Sequence, residues 1–450
     1  MGNAYIVGAV RTPGGKKDGK LKNWHPSDLG ALVLDELVER TGAKGEMIDD
    51  VIFGCVSQSG AQAGNVARNA VLSSKLPESV PGTSVDRQCG SSQQAIHFAA
   101  QAVMSETQDI VIAGGVEVMS QVPIGSNIID SFKEGHGQPF NGKGMTARYP
   151  GVQFSQFAGA EMMAERWKFS REDLDSFAYA SHQKAIAATE SGYFEREIVL
   201  VEGDLPSGEK EMVSVDEGIR FDASLESLSG LKTLSENGVL TAGSSSQICD
   251  GAAAIMIVND AGLEKLGIKP RAKIVSLALA GDDPVIMLTG PIPASKTVLG
   301  KANLSIDDID IYEVNEAFAP VPLAWAHELK ANKEKLNVNG GAMALGHPLG
   351  GTGAKLMTTL LHELERREGK YGLQAICEGG GTANAMIIER MSSVEKKHWW
   401  EKIPDGGVYE DANSGIYFFK EDGKLKTSYE FHIGAGGDPE VFQAWSKAKS

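Results

Sequence analysis

The order of predicted elements in residues 3–120 recurs in residues 270–391, and this internal repeat constrains the fold more than any other feature. Each half opens with an apolar strand, followed by a helix-like stretch and an acidic entry to a second strand. A glycine-bearing turn then leads into another helix, and a last apolar strand runs into glycines. Strands that alternate with helices predict mixed, largely buried sheets with helices outside. We predict an α/β fold made by duplication, because a chance likeness would not be expected to preserve the order of four elements.

Between the halves lies a polar, glycine-rich stretch that is predicted to be a loop domain carrying binding surface. The apolar run after it is predicted to return to the first sheet. The expected domains are residues 1–120 with 251–269 for the first half, 121–250 for the loop domain, 270–391 for the second half, and 392–450 for a C-terminal extension.

The extension differs in composition from the rest of the chain. Residues 392–450 hold three of the six tryptophans and an Asp-Gly pair between two apolar runs. This pattern predicts a small β-rich segment that contains a hairpin. Trp399 and Trp400 are expected to anchor it.

Charge and composition narrow the class of protein. A formal net charge of −16 argues against a general nucleic-acid binder. Four cysteines in 450 residues do not make a disulfide framework, and no run approaches the roughly 18 apolar residues of a membrane span. No signal peptide opens the chain, and its last three residues lack the peroxisomal tripeptide. We expect a cytoplasmic protein that binds neither nucleic acid nor a membrane and has no metal site.

Two thiols and an imidazole lie in glycine-rich settings, where backbone commonly approaches a ligand closely. Cys89 precedes a predicted helix, whose first amides and dipole would stabilise a nucleophilic thiolate. His347 follows a glycine and precedes a proline on a predicted turn, and histidine is the natural base to activate a thiol. Cys377 ends an apolar strand ahead of three glycines, whose amides would face an oxyanion. The alternatives are buried core cysteines and a capping histidine.

A fourth segment, Asn-Glu-Ala-Phe at 315–318, also ends a predicted strand. Polar residues at that edge of a sheet commonly project into a cleft, although an N-cap is the alternative. The four segments fall at corresponding strand ends of the two halves. We therefore predict one shared site for acyl-group chemistry.

Over residues 1–391 the chain resembles the thiolase family. The likeness rests on Arg-Gln-Cys-Gly-Ser at 87–91, Asn-Glu-Ala-Phe at 315–318, Gly-Gly-Ala-Met-Ala-Leu-Gly-His-Pro at 340–348 and Cys-Glu-Gly-Gly-Gly at 377–381. The resemblance implies a layered αβαβα fold and an acyltransferase that condenses or cleaves 3-ketoacyl-CoA reversibly. The extension has no counterpart in the family.

The resemblance also implies a role for each site residue. Cys89 would take an acyl group from acyl-CoA while His347 removes its proton, and Cys377 would exchange a proton with the α-carbon of acetyl-CoA. One oxyanion hole would come from His347 and a water held by Asn315. The other would come from the backbone amides of Cys89 and Gly379.

For the substrates, the resemblance implies CoA contacts by Arg220, Ser227 and Ser246 in the loop domain. Without it, a surface arginine and two loop serines would be the simpler interpretation. Coenzyme A and acyl-CoA would be substrates, with no permanently bound cofactor. The family also implies a homodimer or homotetramer.

The sequence departs from the family pattern at two places, and two other functions are alternatives to a thiolase. The stretch 154–161 lacks the His-Met pair of short-chain biosynthetic thiolases, which leaves room for a bulkier acyl chain, and Glu378 stands where an apolar residue is more usual. A decarboxylating ketoacyl synthase would need a second histidine in place of Cys377. A non-catalytic acyl-CoA-binding scaffold would be expected to lack one of the two thiols or the imidazole.

Overall fold

The structure is a computed structural model that describes residues 2–391 and, in the extension, three strands. The chain divides into two compact units, residues 1–392 and 393–450. The helices are α1 Pro26–Thr41, α2 Val66–Ser73, α3 Ser91–Met104, α4 Ser126–Lys133, α5 Lys143–Arg148, α6 Gln156–Trp167, α7 Arg171–Glu190, α8 Leu225–Ser229, α9 Asp260–Leu266, α10 Pro291–Ala302, α11 Pro320–Leu329, α12 Ala342–Leu345 and α13 Thr352–Arg367. The strands are β1 Tyr5–Arg11, β2 Gly15–Lys16, β3 Asp50–Gly54, β4 Gly82–Val85, β5 Ile110–Val118, β6 Val201–Asp204, β7 Lys210–Val213, β8 Cys249–Val258, β9 Ala272–Gly281, β10 Ile311–Val314, β11 Tyr371–Glu378, β12 Thr382–Arg390, β13 Val408–Glu410, β14 Tyr417–Glu421 and β15 Lys424–Thr427.

The two halves form matching sheets. The strand order is β1-β8-β5-β3-β4 in the first half and β9-β12-β11-β10 in the second. In each half the first two pairings are antiparallel and the third is parallel. A parallel bridge between Tyr312 and Leu336 stands where β3 pairs with β4 in the first half. These pairings confirm the predicted duplication, and a short antiparallel contact of β1 with β9 joins the halves into one ten-stranded sheet.

Helices cover both faces of the sheet in the layered order that the resemblance implied. Helices α3 and α13 share one apolar core with strands of both halves, including Ile96, Leu360, Ile255 and Met386. Helices α1 and α2 pack on the opposite face of the first half. Helices α10 and α11 do the same for the second half. The layers therefore run helix, sheet, helix, sheet, helix, because each sheet face buries its apolar side chains against helices.

The stretch between the halves is helical as well as looped. Helices α6 and α7 pack against the second half through a core that includes Met163, Leu174 and Phe318. Strand β8 returns to the first sheet as predicted, between β1 and β5. Among the described residues, no helix has the length and apolar character needed to span a bilayer.

His347 lies on a turn, as predicted, and the helix that follows, α13, begins only at Thr352. Pro348 disfavours helical backbone at the residue before it, and residues 349–351 form a single 3-10 turn instead. The histidine is thereby held outside the helix.

In the extension, β13, β14 and β15 form an antiparallel three-stranded sheet in that order. Glu421 pairs with Lys424, as the predicted hairpin requires. Trp399 and Trp400 lie outside the described residues.

Candidate active site

Cys89 lies in a tight turn between β4 and α3. Gln88 has a left-handed backbone with φ of 48°, a conformation that few non-glycine residues adopt. The Arg87 amide donates a hydrogen bond to Ser91 Oγ at 2.9 Å, and that hydroxyl donates to the Gln88 carbonyl at 2.6 Å. These bonds hold a thiol that is only 5% exposed directly ahead of α3.

The charge state of Cys89 depends on its burial as well as on its position ahead of α3. Burial, and next the charge of Glu378, raise the pKa of the Cys89 thiol to about 12. The first amides of α3 favour the thiolate, but the cost of desolvating a buried anion outweighs them. The thiol is therefore the favoured form of Cys89, although the start of α3 acts in the direction that the sequence predicted.

His347 lies on the turn between α12 and α13. The preceding Gly346 has φ of 83°, and a side chain there would collide with Cys249. His347 Nδ1 lies 2.5 Å from Thr352 Oγ1, whose hydroxyl donates to the Pro348 carbonyl at 2.9 Å. When the one proton of that hydroxyl is used in this bond, Nδ1 is the donor to Thr352 Oγ1 and Nε2 is the acceptor nitrogen of the ring. The turn thus favours the tautomer in which Nε2 can accept a proton.

The surroundings of His347 keep its ring neutral. Burial, and next the charge of Lys355, lower the pKa of His347 to about 3. Lys355 is itself fixed, because its ammonium donates to the Leu345 carbonyl and pairs with Asp216 at 3.0 Å. A neutral imidazole is the form that accepts a proton from a thiol.

Asn315 follows β10 and approaches the same imidazole. Its Nδ2 lies 3.4 Å from His347 Nε2, at the outer limit of a hydrogen bond. Asn315 Oδ1 is buried and has no hydrogen-bond partner among the described residues. Buried acceptors are nearly always satisfied, so this oxygen is available to a water or to a substrate.

Cys377 lies near the end of β11, opposite Ala383 of β12, and is 1% exposed. Burial, and next the charge of Cys89, raise the pKa of the Cys377 thiol. The two thiols are therefore close enough to interact electrostatically. In the turn that follows, Gly381 has φ of 77°, and a side chain there would collide with Pro284.

The turn before α3 and the turn after β11 contact each other. A side chain at Gly379 would meet Gln88 Oε1 at 3.2 Å, and one at Gly90 would collide with Glu378. Asn384 Nδ2 of β12 donates to the Gly90 carbonyl at 2.9 Å. The structure thus brings the two thiols near each other and places the imidazole beside the amide of Asn315. Leu349, two residues after His347, packs in the same apolar cluster as Cys89. Two thiols, an imidazole and an amide are a set able to carry acyl transfer.

Comparison with known proteins decides the family. The thiolase N-terminal domain matches residues 4–261, and the thiolase C-terminal domain matches residues 268–390. The chain belongs to the thiolase family. As a thiolase it is an acyltransferase, and residues 391–450 lie beyond both matches.

Individual relatives agree with this assignment. Over 392 residues the chain is 52% identical to the steroid 3-ketoacyl-CoA thiolase FadA6 of Mycobacterium tuberculosis, covering 87% of this chain and 95% of that protein. It is 42% identical to a 3-ketoacyl-CoA thiolase of Pseudoalteromonas translucida, covering 87% of this chain and all of that one. The crystal structure of human mitochondrial 3-ketoacyl-CoA thiolase superposes with a TM-score of 0.78 at 36% identity, over 87% of this chain and 99% of that one.

Sequence reasoning missed a buried glutamate that holds the thiolase site together. Glu117 at the end of β5 accepts hydrogen bonds from the backbone amides of Val56, Ser57 and Gly350 at 2.8–2.9 Å, and from Gln62 Nε2 at 2.7 Å. It therefore ties the first sheet to the residues just after His347. A glutamate inside an apolar strand run was the available signal.

Glu316 ties segments of the second half together in the same way, and nothing in the sequence assigned it a role of its own. Its carboxylate accepts from Ser181 Oγ at 2.7 Å, Asn337 Nδ2 at 2.9 Å and the Met343 amide at 3.1 Å. These bonds join the residue after Asn315 to α7 of the loop domain and to α12. Three donors satisfy this buried carboxylate.

The three residues expected to contact CoA have different settings. Ser246 is half-buried, and its amide donates to the Ala317 carbonyl at 2.9 Å, which places it beside the Asn315 segment. Arg220 and Ser227 are exposed on the loop domain. The Ser227 hydroxyl is engaged in capping α8 through Ser224.

Proposed function

We propose that this thiolase transfers acyl groups through a Cys89 thioester, with His347 as the base. The observation that carries the proposal is the contact of His347 Nδ1 with Thr352 Oγ1, which leaves Nε2 as the ring nitrogen that can accept a proton. In the thiolytic direction His347 takes the Cys89 proton, and the sulfur attacks the 3-keto carbon. The bond between C2 and C3 then breaks, and Cys377 donates its proton to C2 to release acetyl-CoA.

The second half-reaction returns both protons. Free CoA gives its thiol proton to the Cys377 thiolate and attacks the acyl-Cys89 carbonyl. The Cys89 sulfur leaves and recovers the proton held by His347, so the site ends as it began. Two thiols are needed because the nucleophile and the carbon acid must act on different atoms of one substrate.

The oxyanions of these steps have two proposed sites. The unsatisfied Oδ1 of Asn315 supports a water held between Asn315 and His347. The contact between the turn that carries Cys89 and Gly379 supports a second site at their two backbone amides. Removing one oxyanion donor typically costs about 10²–10³ in rate.

For CoA, we propose that Arg220 meets a phosphate and that Ser227 and Ser246 contact the nucleotide and pantetheine. The exposure of Arg220 and the position of Ser246 beside Ala317 support this path. A cleft of about 1040 Å³ lies between α6 and residues 234–240, and neither thiol nor the imidazole lines it.

The substrate class is proposed to be 3-ketoacyl-CoA with a medium or bulky acyl group. The names of the relatives and the absence of a His-Met pair in residues 154–161 support it. We expect a homodimer or homotetramer, as the family implies, and we propose a cytoplasmic location. Assaying free CoA with acetoacetyl-CoA, a straight-chain and a ring-bearing 3-ketoacyl-CoA tests the class, and preference for acetoacetyl-CoA would contradict it.

Mass spectrometry tests the acyl-enzyme directly. After incubation with acyl-CoA, the peptide that contains Cys89 should gain one acyl mass, and Cys89→Ala should abolish the gain. Cys55→Ala is the matched control, because that thiol is equally buried but has no assigned role. Label that persists in Cys89→Ala would exclude Cys89 as the nucleophile.

A further inference from the structure

We propose that Glu378 is a positioning residue that controls by its charge how readily Cys89 and Cys377 become thiolates. This inference rests on the proposed function and extends it to a residue that no step above uses. It concerns the side chain that follows Cys377 at the end of β11.

The first observation is where the carboxyl group lies. Glu378 is fully buried, and its Oε1 lies against Gly90, so that any side chain at Gly90 would collide with it. Gly90 follows Cys89 directly, and Cys377 precedes Glu378. One carboxyl group therefore lies beside the backbone of both cysteines.

The second observation is that this carboxyl group accepts few hydrogen bonds. Its Oε2 accepts one hydrogen bond from Thr382 Oγ1 at 2.7 Å. Its Oε1 is without a hydrogen-bond partner within residues 2–391, and no ion pair there includes Glu378. A buried carboxylate that serves only to hold structure is normally satisfied by several donors, as Glu117 and Glu316 are. Glu378 is not arranged in that way.

The groups around Glu378 do not neutralise it, so its negative charge acts on the two thiols. Arg87 in the turn before α3 is the cation that faces it, without forming an ion pair. On β12, the neutral Thr382 donates to Glu378 and the neutral Asn384 donates to the Gly90 carbonyl, while the charged residues of this strand lie at its other end. The other acidic groups that act on Cys89 are Glu117 and Asp86, and both reinforce the effect of Glu378.

The titration of Glu378 supports this assignment. Burial raises its pKa to about 7, with Thr382 and Arg87 acting in the opposite direction. The side chain is thus neutral below that pH and negative above it. A like charge nearby raises the pKa of a thiol, so ionised Glu378 opposes both thiolates. In the thiolytic direction this keeps Cys377 a thiol, which is the form that donates a proton to C2.

The test follows alkylation of Cys89 and Cys377 by iodoacetamide, an uncharged probe, between pH 5 and 10, with peptide mapping of each thiol. In the wild-type protein the logarithm of the Cys89 rate should rise with pH, flatten while Glu378 ionises, and rise again. Glu378→Gln should remove the flattening and speed alkylation at pH 8 roughly tenfold, since removing one nearby like charge shifts a pKa by about one unit. Glu378→Asp, which keeps the charge, should resemble the wild type.

Thr382→Val is the second variant, because it keeps the carboxyl group and removes its one donor. Glu378 should then stay neutral to higher pH, and the flattening should move upward with it. A structural role would not give this result. Identical profiles in wild type, Glu378→Gln and Thr382→Val would overturn the inference, and the wild-type profile alone decides it if the variants fail to fold.

The same samples separate this inference from the proposed function. Normal acylation of Cys89 with unchanged alkylation profiles would refute the role of Glu378 and leave the acyl-enzyme standing. Shifted profiles without any acylation in the wild type would refute the acyl-enzyme and support the role of Glu378.

Discussion

The ends of β5 and β11 occupy equivalent places in the duplicated halves, and each carries a fully buried glutamate near the active site. Glu117 at the end of β5 accepts four hydrogen bonds, three of them from backbone amides. Glu378 at the end of β11 accepts one and leaves an oxygen unsatisfied. The two carboxyl groups are equally buried but accept different numbers of hydrogen bonds, which indicates different roles. Glu117 in the first half holds loops in place through its hydrogen bonds. Glu378 in the second half acts on the two thiols through its charge.

The largest effect should follow replacement of Cys377, the thiol near the end of β11. In Cys377→Ser we expect acyl-CoA still to label Cys89, while condensation with acetyl-CoA falls by about 10²–10⁴, the usual cost of losing a positioned acid–base group. Quenched-flow assays with mass spectrometry measure both steps. Near-normal condensation would mean that Cys377 takes no part in proton transfer.

The next largest effect concerns stability at the end of β5. Glu117→Ala should lower the free energy of unfolding by on the order of 3 kcal/mol or more, because each donor left unsatisfied in the interior costs about 1–3 kcal/mol. Urea denaturation at pH 7 measures the change. Glu117→Gln keeps one acceptor oxygen and should lose less. If alanine leaves the midpoint unchanged, the contrast between the two glutamates does not hold.

Removing the charge of Glu378 should change the free energy of unfolding with the opposite sign. Its pKa in the folded protein is raised to about 7 from 4.5, so its ionisation costs stability as pH rises through that window. Relative to wild type, Glu378→Gln should therefore become more stable by roughly 3 kcal/mol between pH 4 and pH 8. Denaturation curves at the two values check this. A constant difference between the proteins would show that Glu378 does not change its charge there.

The repeat and its layers could be predicted from the sequence, because apolar periodicity recurs in the same order in both halves. The turns that carry the proposed catalytic residues could also be singled out, since Cys89, His347 and Cys377 stand in distinctive glycine-rich motifs. The charge states could not. Whether Cys89 rests as a thiol depends on burial and on Glu378, which meets it only in three dimensions. Thr352 and Glu117 were missed for the same reason, since their partners lie across a turn or on another strand.

The smallest expected effect links the two strand ends through His347. Glu117 holds the Gly350 amide, and Thr352 at the start of α13 anchors His347 Nδ1. Thr352→Val should slow acylation of Cys89 by roughly two- to tenfold, because one hydrogen bond contributes about 0.5–1.5 kcal/mol. Thr352→Ser keeps the hydroxyl and should restore the rate, which separates the anchor from packing. Single-turnover acylation by acyl-CoA measures the step, and with Glu117→Gln in the same protein the losses should exceed their sum if both act on one turn. Equal rates in wild type and Thr352→Val would mean that the tautomer of His347 is held by something other than this hydroxyl, and that the contact of β5 with the histidine turn serves stability alone.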